Sequence, residues 1–330
     1  MISEFVADSM PTPQCHASTV AEVDGKLVVA WFGGTYEGND DVGIWFSRKD
    51  SSGWSIPERV TDGRGLGGVV HPCWNPVLHK QRHGPLMLFY KAGPNPREWW
   101  GMLITSTDCG ATWSSAQRLP DGVIGPVKNK PLELESGDLL CPSSTEDKGW
   151  RVWFERTTDC GVTWTRLGPM NDPAEIEAIQ PTILSRSDGV LQAVGRTKQG
   201  RMFSMGSTDD GHTWSGMELM DFWCSNSGLD GVVLRDGRML IVYNHGRNIP
   251  GEWVAGREML NVAVSTNGRE WKAGCVLERE RGEEFSYPAV IQTADGFLHI
   301  TYTWKRQRIR HVVLDPARLQ GRPFRGLEWE

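Results

Sequence analysis

The 330-residue chain has no CxxC pair among its seven cysteines, and the odd count argues against a disulfide scaffold and a thiolate metal site alike. It has no apolar stretch long enough to span a membrane. The N-terminus, MISEFVADSMPTP, lacks the basic segment and apolar run of a secretory leader, so the expected compartment is the cytoplasm. Long amphipathic helices are missing too. With a formal net charge of −6 and its Arg and Lys residues scattered along the chain, there is no electrostatic footprint for nucleic acid. These absences leave no metal, cofactor, nucleic acid or membrane partner to expect, and nothing that sets an oligomeric state.

What is plentiful is tryptophan (16), glycine (38) and proline (19), a mixture suited to many short strands joined by tight turns. Six times an apolar run reverses through a Gly-bearing turn into a second one: VAEVDGKLVVAWF, VLHKQRHGPLMLFYK, LELESGDLLCPSS, ILSRSDGVLQAVGR, VVLRDGRMLIVYN and VIQTADGFLHITYT. Each predicts a β-hairpin, because the Asp-Gly, Ser-Gly and His-Gly turns supply the positive φ that a tight reversal needs. A second repeat, S/T-x-D-x-G-x-T-W, runs Ser106 to Trp113, Thr157 to Trp164 and Ser207 to Trp214, with weaker versions at Ser47 to Trp54 and Ser265 to Trp271. Its tryptophans recur at blade-sized intervals of roughly 50–60 residues. In each copy the Asp can accept turn hydrogen bonds, the Gly permits a left-handed backbone and the Trp can fill the space between adjacent sheets. The expected fold is all-β: a six-bladed β-propeller of four-stranded antiparallel blades, with residues 1–330 forming one domain.

The second repeat resembles the Asp-box, and the whole arrangement, from about Cys15 to Leu314, resembles the sialidase (neuraminidase) superfamily. The resemblance implies a last blade without a box, closed by the N-terminal strand. In such a propeller the starts of the hairpins and the ends of their second strands gather at one mouth of the axis. Here those positions carry His16, Trp74 with Asn75, Lys128 with Lys130, Gln180, Asn226 with Asp230, Tyr287, Glu146 and Arg196. So polar a ring is expensive to bury without partners and is expected to be a ligand-binding mouth.

Residue by residue, the resemblance implies that Tyr287 in FSYPAVIQTADG is the nucleophile and that Arg196 and Arg257 hold a sugar carboxylate. Asp40 or Asp41, in the first-blade loop, would be the acid, with Glu37 close enough to compete. Two departures stand out. Where the family opens its first blade with Arg-Ile-Pro this chain has His16-Ala17-Ser18, and where the family has a glutamate two residues before Gln180 it has Ala178. Glu177 is adjacent, but a one-residue shift on a strand points to the opposite face. His16 then becomes the candidate general acid or base beside Tyr287. Lys128 and Lys130, alternating onto one strand face, are candidates for anionic groups; Glu146, beside Trp150, is a further acid candidate; and in the basic stretch KRQRIRH the preferred glycan contact is Arg310. The expected function is an exo-acting glycosidase that hydrolyses a terminal acidic sugar from a glycan. The alternatives are a polysaccharide lyase acting by β-elimination on a uronic acid, and a non-catalytic glycan-binding propeller.

Overall fold

The computed structural model describes residues 1–64, 68–247, 256–326 and 328–329. Its strands form six antiparallel sheets arranged as a six-bladed propeller. The inner two strands of the blades are the six predicted hairpins: Gln14–Val23 with Lys26–Gly34, Cys73–Lys80 with Leu86–Ala92, Leu132–Glu133 with Leu139–Thr145, Ala178–Ser185 with Leu191–Thr197, Asp230–Val233 with Met239–Asn244, and Phe285–Gln292 with Leu298–Trp304. Closure follows the expectation. Ile2–Phe5 pairs antiparallel with Arg308–Leu314 and becomes the outermost strand of the sixth blade, so the two ends of the chain share one sheet. The first blade departs slightly, since its outer edge is split into Gly53–Trp54 and Glu58–Thr61, both paired with Gly43–Asp50.

The Asp-boxes hold the outer turns together. Ser106 Oγ donates to Asp108 at 2.7 Å, and Asp108 accepts from Thr112 N at 2.8 Å; Asp159 and Asp209 repeat the arrangement. The tryptophans of these three boxes then meet a phenylalanine of the preceding blade: Trp113 against Phe46, Trp164 against Phe89, and Trp214 stacked on Phe154 with ring centroids 4.0 Å apart. The rings are half-buried, so Trp214→Ala is expected to cost about 3 kcal/mol, the low end for an aromatic truncation. An unchanged midpoint in urea would show that this contact does not join the blades.

The inner strands share a further feature. Ala17, Asn75, Lys128, Gln180 and Tyr287, in five of the six blades, have positive φ between 41° and 70°. Four of them coincide with register shifts in the inner hairpins, the mark of a β-bulge. A left-handed conformation costs a non-glycine residue roughly 1–2 kcal/mol, and such strain collects where function needs a side chain re-aimed. Blade-to-blade hydrogen bonds hold the bulges: Ala17 N donates to Thr303, Leu78 N to Thr19, Gln180 N to Ser144 and Val290 N to Asp230.

Candidate functional site

The side chains gathered at the axis divide into a structural plug and a polar mouth. Lys128, Asn129 and Lys130 form the plug. Lys128 Nζ donates to Leu229 O (2.8 Å), Asn129 Oδ1 (3.0 Å) and Pro288 O, and Asn129 Nδ2 donates to the carbonyls of Gln180 and Pro181, both at 3.0 Å. Lys130 Nζ lies 2.9 Å from Asp230, whose carboxylate also accepts from Thr182 Oγ1 and Val290 N. Three consecutive residues of the third blade thus tie the fourth, fifth and sixth together. Lys130, a candidate substrate contact from the sequence, is spent on Asp230.

Above the plug, Tyr287 is the centre of the mouth. Arg196 Nη2 donates to its hydroxyl at 2.9 Å, and the guanidiniums of Arg196 and Arg257 lie 5.5 Å and 5.8 Å from its ring centre. Both arginines also donate to the carbonyl of Asn226, each at 3.2 Å, so one backbone oxygen sets their separation. Among the described residues, Arg196 Nε is buried without a partner, and so is Gln180 Oε1. Asn75 occupies the corresponding bulge of the second blade and is buried. Unpaired buried donors and acceptors of this kind are costly in a scaffold and fit a site that receives a polar ligand.

A third guanidinium arrives from an unexpected element. The turn between Leu298–Trp304 and Arg308–Leu314 places Lys305 and Arg306 at positive φ, folding Arg306 over the mouth. Arg306 Nε donates to Glu284 at 2.9 Å and its Nη1 to Glu37; Glu284 also takes Arg257 at 2.8 Å and Ser286 Oγ at 2.6 Å. Burial alone would raise the Glu284 carboxyl, but Arg257 and Arg306 outweigh it and hold it below its ordinary value. Arg310, the residue preferred from the sequence, lies two strands out from the axis, 3.5 Å from Glu278 and over the Phe5 ring. Within this basic stretch, Arg306 reaches the mouth and Arg310 does not. The signal that separates them is the hairpin: Arg306 is at its tip and Arg310 is inside a strand.

His16 does come to Tyr287. The rings are 4.2 Å apart, with Phe32 on the other side of the imidazole, and His16 Nδ1 is 2.9 Å from Thr303 Oγ1. Burial, followed by the charges of Arg306, Arg257, Arg196 and Lys128, drives its proton affinity well below the ordinary histidine value. These influences hold it in its neutral form at pH 7. The unfolded chain binds a proton on this residue below about pH 6.5 while the folded protein does not, so stability must fall as pH drops through that point, by about 1.4 kcal/mol per unit until the folded value is reached. His16→Gln should flatten that acid limb in a series of urea melts; an identical slope in both proteins would show that His16 is protonated when folded.

The first-blade carboxylates are occupied. Asp41 accepts from Thr35 N (3.0 Å), Thr35 Oγ1 (2.6 Å) and Asn39 Nδ2 (2.7 Å), and these bonds overcome partial burial to hold its carboxyl below the usual range. It shapes its own loop. Asp40 is exposed at the same turn, and Glu37 reaches across to Arg306. Ala178 is buried where the family places a glutamate, and Glu177 turns to Lys198 at 2.7 Å, as the strand alternation requires. Glu146 lies at the end of Leu139–Thr145, and Trp150, its hydrogen-bond partner, stands against Arg196 with 5.1 Å from guanidinium to ring centre. A cleft of about 620 Å³ opens at the far ends of the first and sixth hairpins beside Lys26 and Asp295, away from these groups. Among the described residues no set of His, Cys, Asp and Glu could hold a metal ion, and no helix is long and apolar enough to cross a membrane.

No curated protein matches the chain by sequence. Solved structures do. An intramolecular trans-sialidase from Ruminococcus gnavus superposes with a TM-score of 0.75 at 13% identity, covering 97% of this chain and 98% of its own. The NanB sialidase of Streptococcus pneumoniae gives 0.75 at 12% identity, over 97% of this chain and 71% of its own. A leech intramolecular trans-sialidase gives 0.76 at 14% identity, over 97% and 71%. At such identities the likeness is one of fold. Residues 25–300 match the family described as BNR repeat-like domain, and on that match the chain belongs to this family, as a sialidase-like six-bladed propeller.

Proposed function

We propose that this protein is a carbohydrate-active enzyme of the sialidase type, an exo-glycosidase that hydrolyses a terminal acidic sugar from a glycan. The observation that carries the reading is the bracket of Arg196 and Arg257 around Tyr287, spaced by one carbonyl and closed by the 2.9 Å contact from Arg196 to the phenol. Two guanidiniums so held offer a sugar carboxylate charge-assisted, bidentate hydrogen bonds. Arg306 supplies a third cation where the family's first-blade arginine is absent. With the carboxylate seated, the anomeric carbon beside it faces the phenolic oxygen. In this reading His16, whose ring lies 4.2 Å from that of Tyr287, takes the phenol's proton, in the role the family gives to the glutamate replaced by Ala178. Two of the similar structures support an acidic sugar: the Ruminococcus gnavus enzyme is in complex with oseltamivir carboxylate and the leech enzyme with 2,7-anhydro-Neu5Ac.

The test is a mass-spectrometric screen of sialosides, uronosides and rhamnosides across a wide pH range. Release of a free acidic sugar supports the reading. Failure to release any sugar, together with binding of the same glycans, would favour a non-catalytic glycan-binding propeller. The neutral state of His16 also favours a second reading, a lyase in which the arginines neutralise a uronate carboxylate and His16 removes the proton α to it. A lyase product carries a new unsaturated bond and absorbs in the ultraviolet; a product without that absorbance excludes elimination.

A further inference from the structure

Hydrolysis of a glycoside needs a proton for the departing oxygen, and the carboxylates at the mouth are not equally able to give one. Asp41 is held by three donors in its own loop. Glu37 and Glu284 are committed to Arg306 and Arg257, and Asp230 to Lys130. Protonating any of these would break the bonds that shape the loop, the arginine cluster or the plug. Asp40 is exposed at the turn of the same loop.

Glu146 stands outside that network. It lies at the mouth end of the third blade, with its carboxyl on Trp150, and the Trp150 ring is flanked by Arg196 at 5.1 Å and Lys198 at 4.9 Å. The same Arg196 reaches Tyr287 with its other edge. From this placement we infer that Glu146 is the proton donor to the glycosidic oxygen, an assignment that rests on the hydrolase reading above. Burial supports it by raising the carboxyl above the ordinary glutamate value, against the opposing pull of Arg196, Trp150, Lys198 and Arg97.

In the first step the bond from the anomeric carbon to the leaving oxygen breaks, its electron pair stays on that oxygen, and the Glu146 proton joins it, so the aglycone leaves as an alcohol. The phenolic oxygen of Tyr287 bonds to the carbon as its proton passes to His16. In the second step the oxygen of a water bonds to the carbon and the water gives a proton to the Glu146 carboxylate. The bond to Tyr287 breaks, and the phenol recovers its proton from His16. Both groups are restored.

The experiment compares the parent with Glu146→Gln on two glycosides of the same acidic sugar, one with an alkyl and one with a 4-nitrophenyl leaving group. The alkyl glycoside needs the proton and should slow about 10²–10⁴-fold. The nitrophenyl glycoside, whose leaving group departs as a stable anion, should slow far less, and the alkaline limb of the kcat/KM profile should disappear. Circular dichroism confirms the fold of this near-isosteric variant. Equal losses of kcat/KM, which reports the first step alone, on both substrates, or no loss, would overturn the assignment, as would a leaving-group-dependent loss of kcat/KM in Asp40→Asn in its place. A parent that cleaves neither glycoside sinks the hydrolase reading itself, whereas an active parent with an indifferent Glu146→Gln sinks only the proton donor.

Discussion

Lys130→Met is expected to destabilise the protein by about 3–5 kcal/mol, because it leaves Asp230 as a buried carboxylate without its cation. Asp230 is 2% exposed and lies 2.9 Å from the lysine ammonium. The methionine replaces the aliphatic stem, so little packing is lost and the deficit reports the charge. Asp230 cannot escape by turning to solvent, since it also receives Thr182 Oγ1 and Val290 N from the blades on either side. The double variant Lys130→Met/Asp230→Asn removes the orphaned charge, keeps an acceptor for Val290 N and should regain a large part of the loss. Urea denaturation of the three proteins checks this. A single variant as stable as the parent would mean that Lys130 is free to meet a ligand, as its place on the strand first implied.

The second large effect is on turnover. Tyr287→Phe should lower kcat by roughly 10³-fold or more while leaving the melting temperature nearly unchanged, because one hydroxyl goes and the ring stays against His16. Arg196 needs gentler handling. It is buried, donates to Asn226 at 3.1 Å and 3.2 Å and lies against Trp150, so Arg196→Ala would lose stability as well as activity. Arg196→Lys retains the charge without the planar fork and should raise KM and lower kcat together. Wild-type rates in Tyr287→Phe, measured on any glycoside the parent cleaves, would move the reactive centre away from the axis.

The failures of sequence reading at the site share one cause. Tyr287, Arg196 and His16 could be placed at the mouth from the sequence because each sits at a fixed place in a repeated hairpin, whereas Arg257 lies in the connection before Met259–Ser265. Lys130 reads as part of a strand, yet residues 128–130 precede the strand Leu132–Glu133, and its ammonium meets Asp230, 100 residues away. Asp41 was placed in the correct loop, yet Thr35 and Asn39 hold it there. Position along a strand says where a side chain points and is silent on what already occupies that space.

The sequence by itself determined the propeller: hairpins and Asp-boxes are encoded within a dozen residues each, by turn glycines and alternating apolar positions, and the sixfold recurrence of the hairpins leaves one architecture that buries every sheet. Only the tertiary structure decided how the polar mouth divides its charges. Arg306 meets Glu37 across 269 residues, and Ile2–Phe5 meets Arg308–Leu314 from the opposite end of the chain. Those pairings depend on how closing the ring juxtaposes the first and last blades, a distance that no local pattern of residues contains.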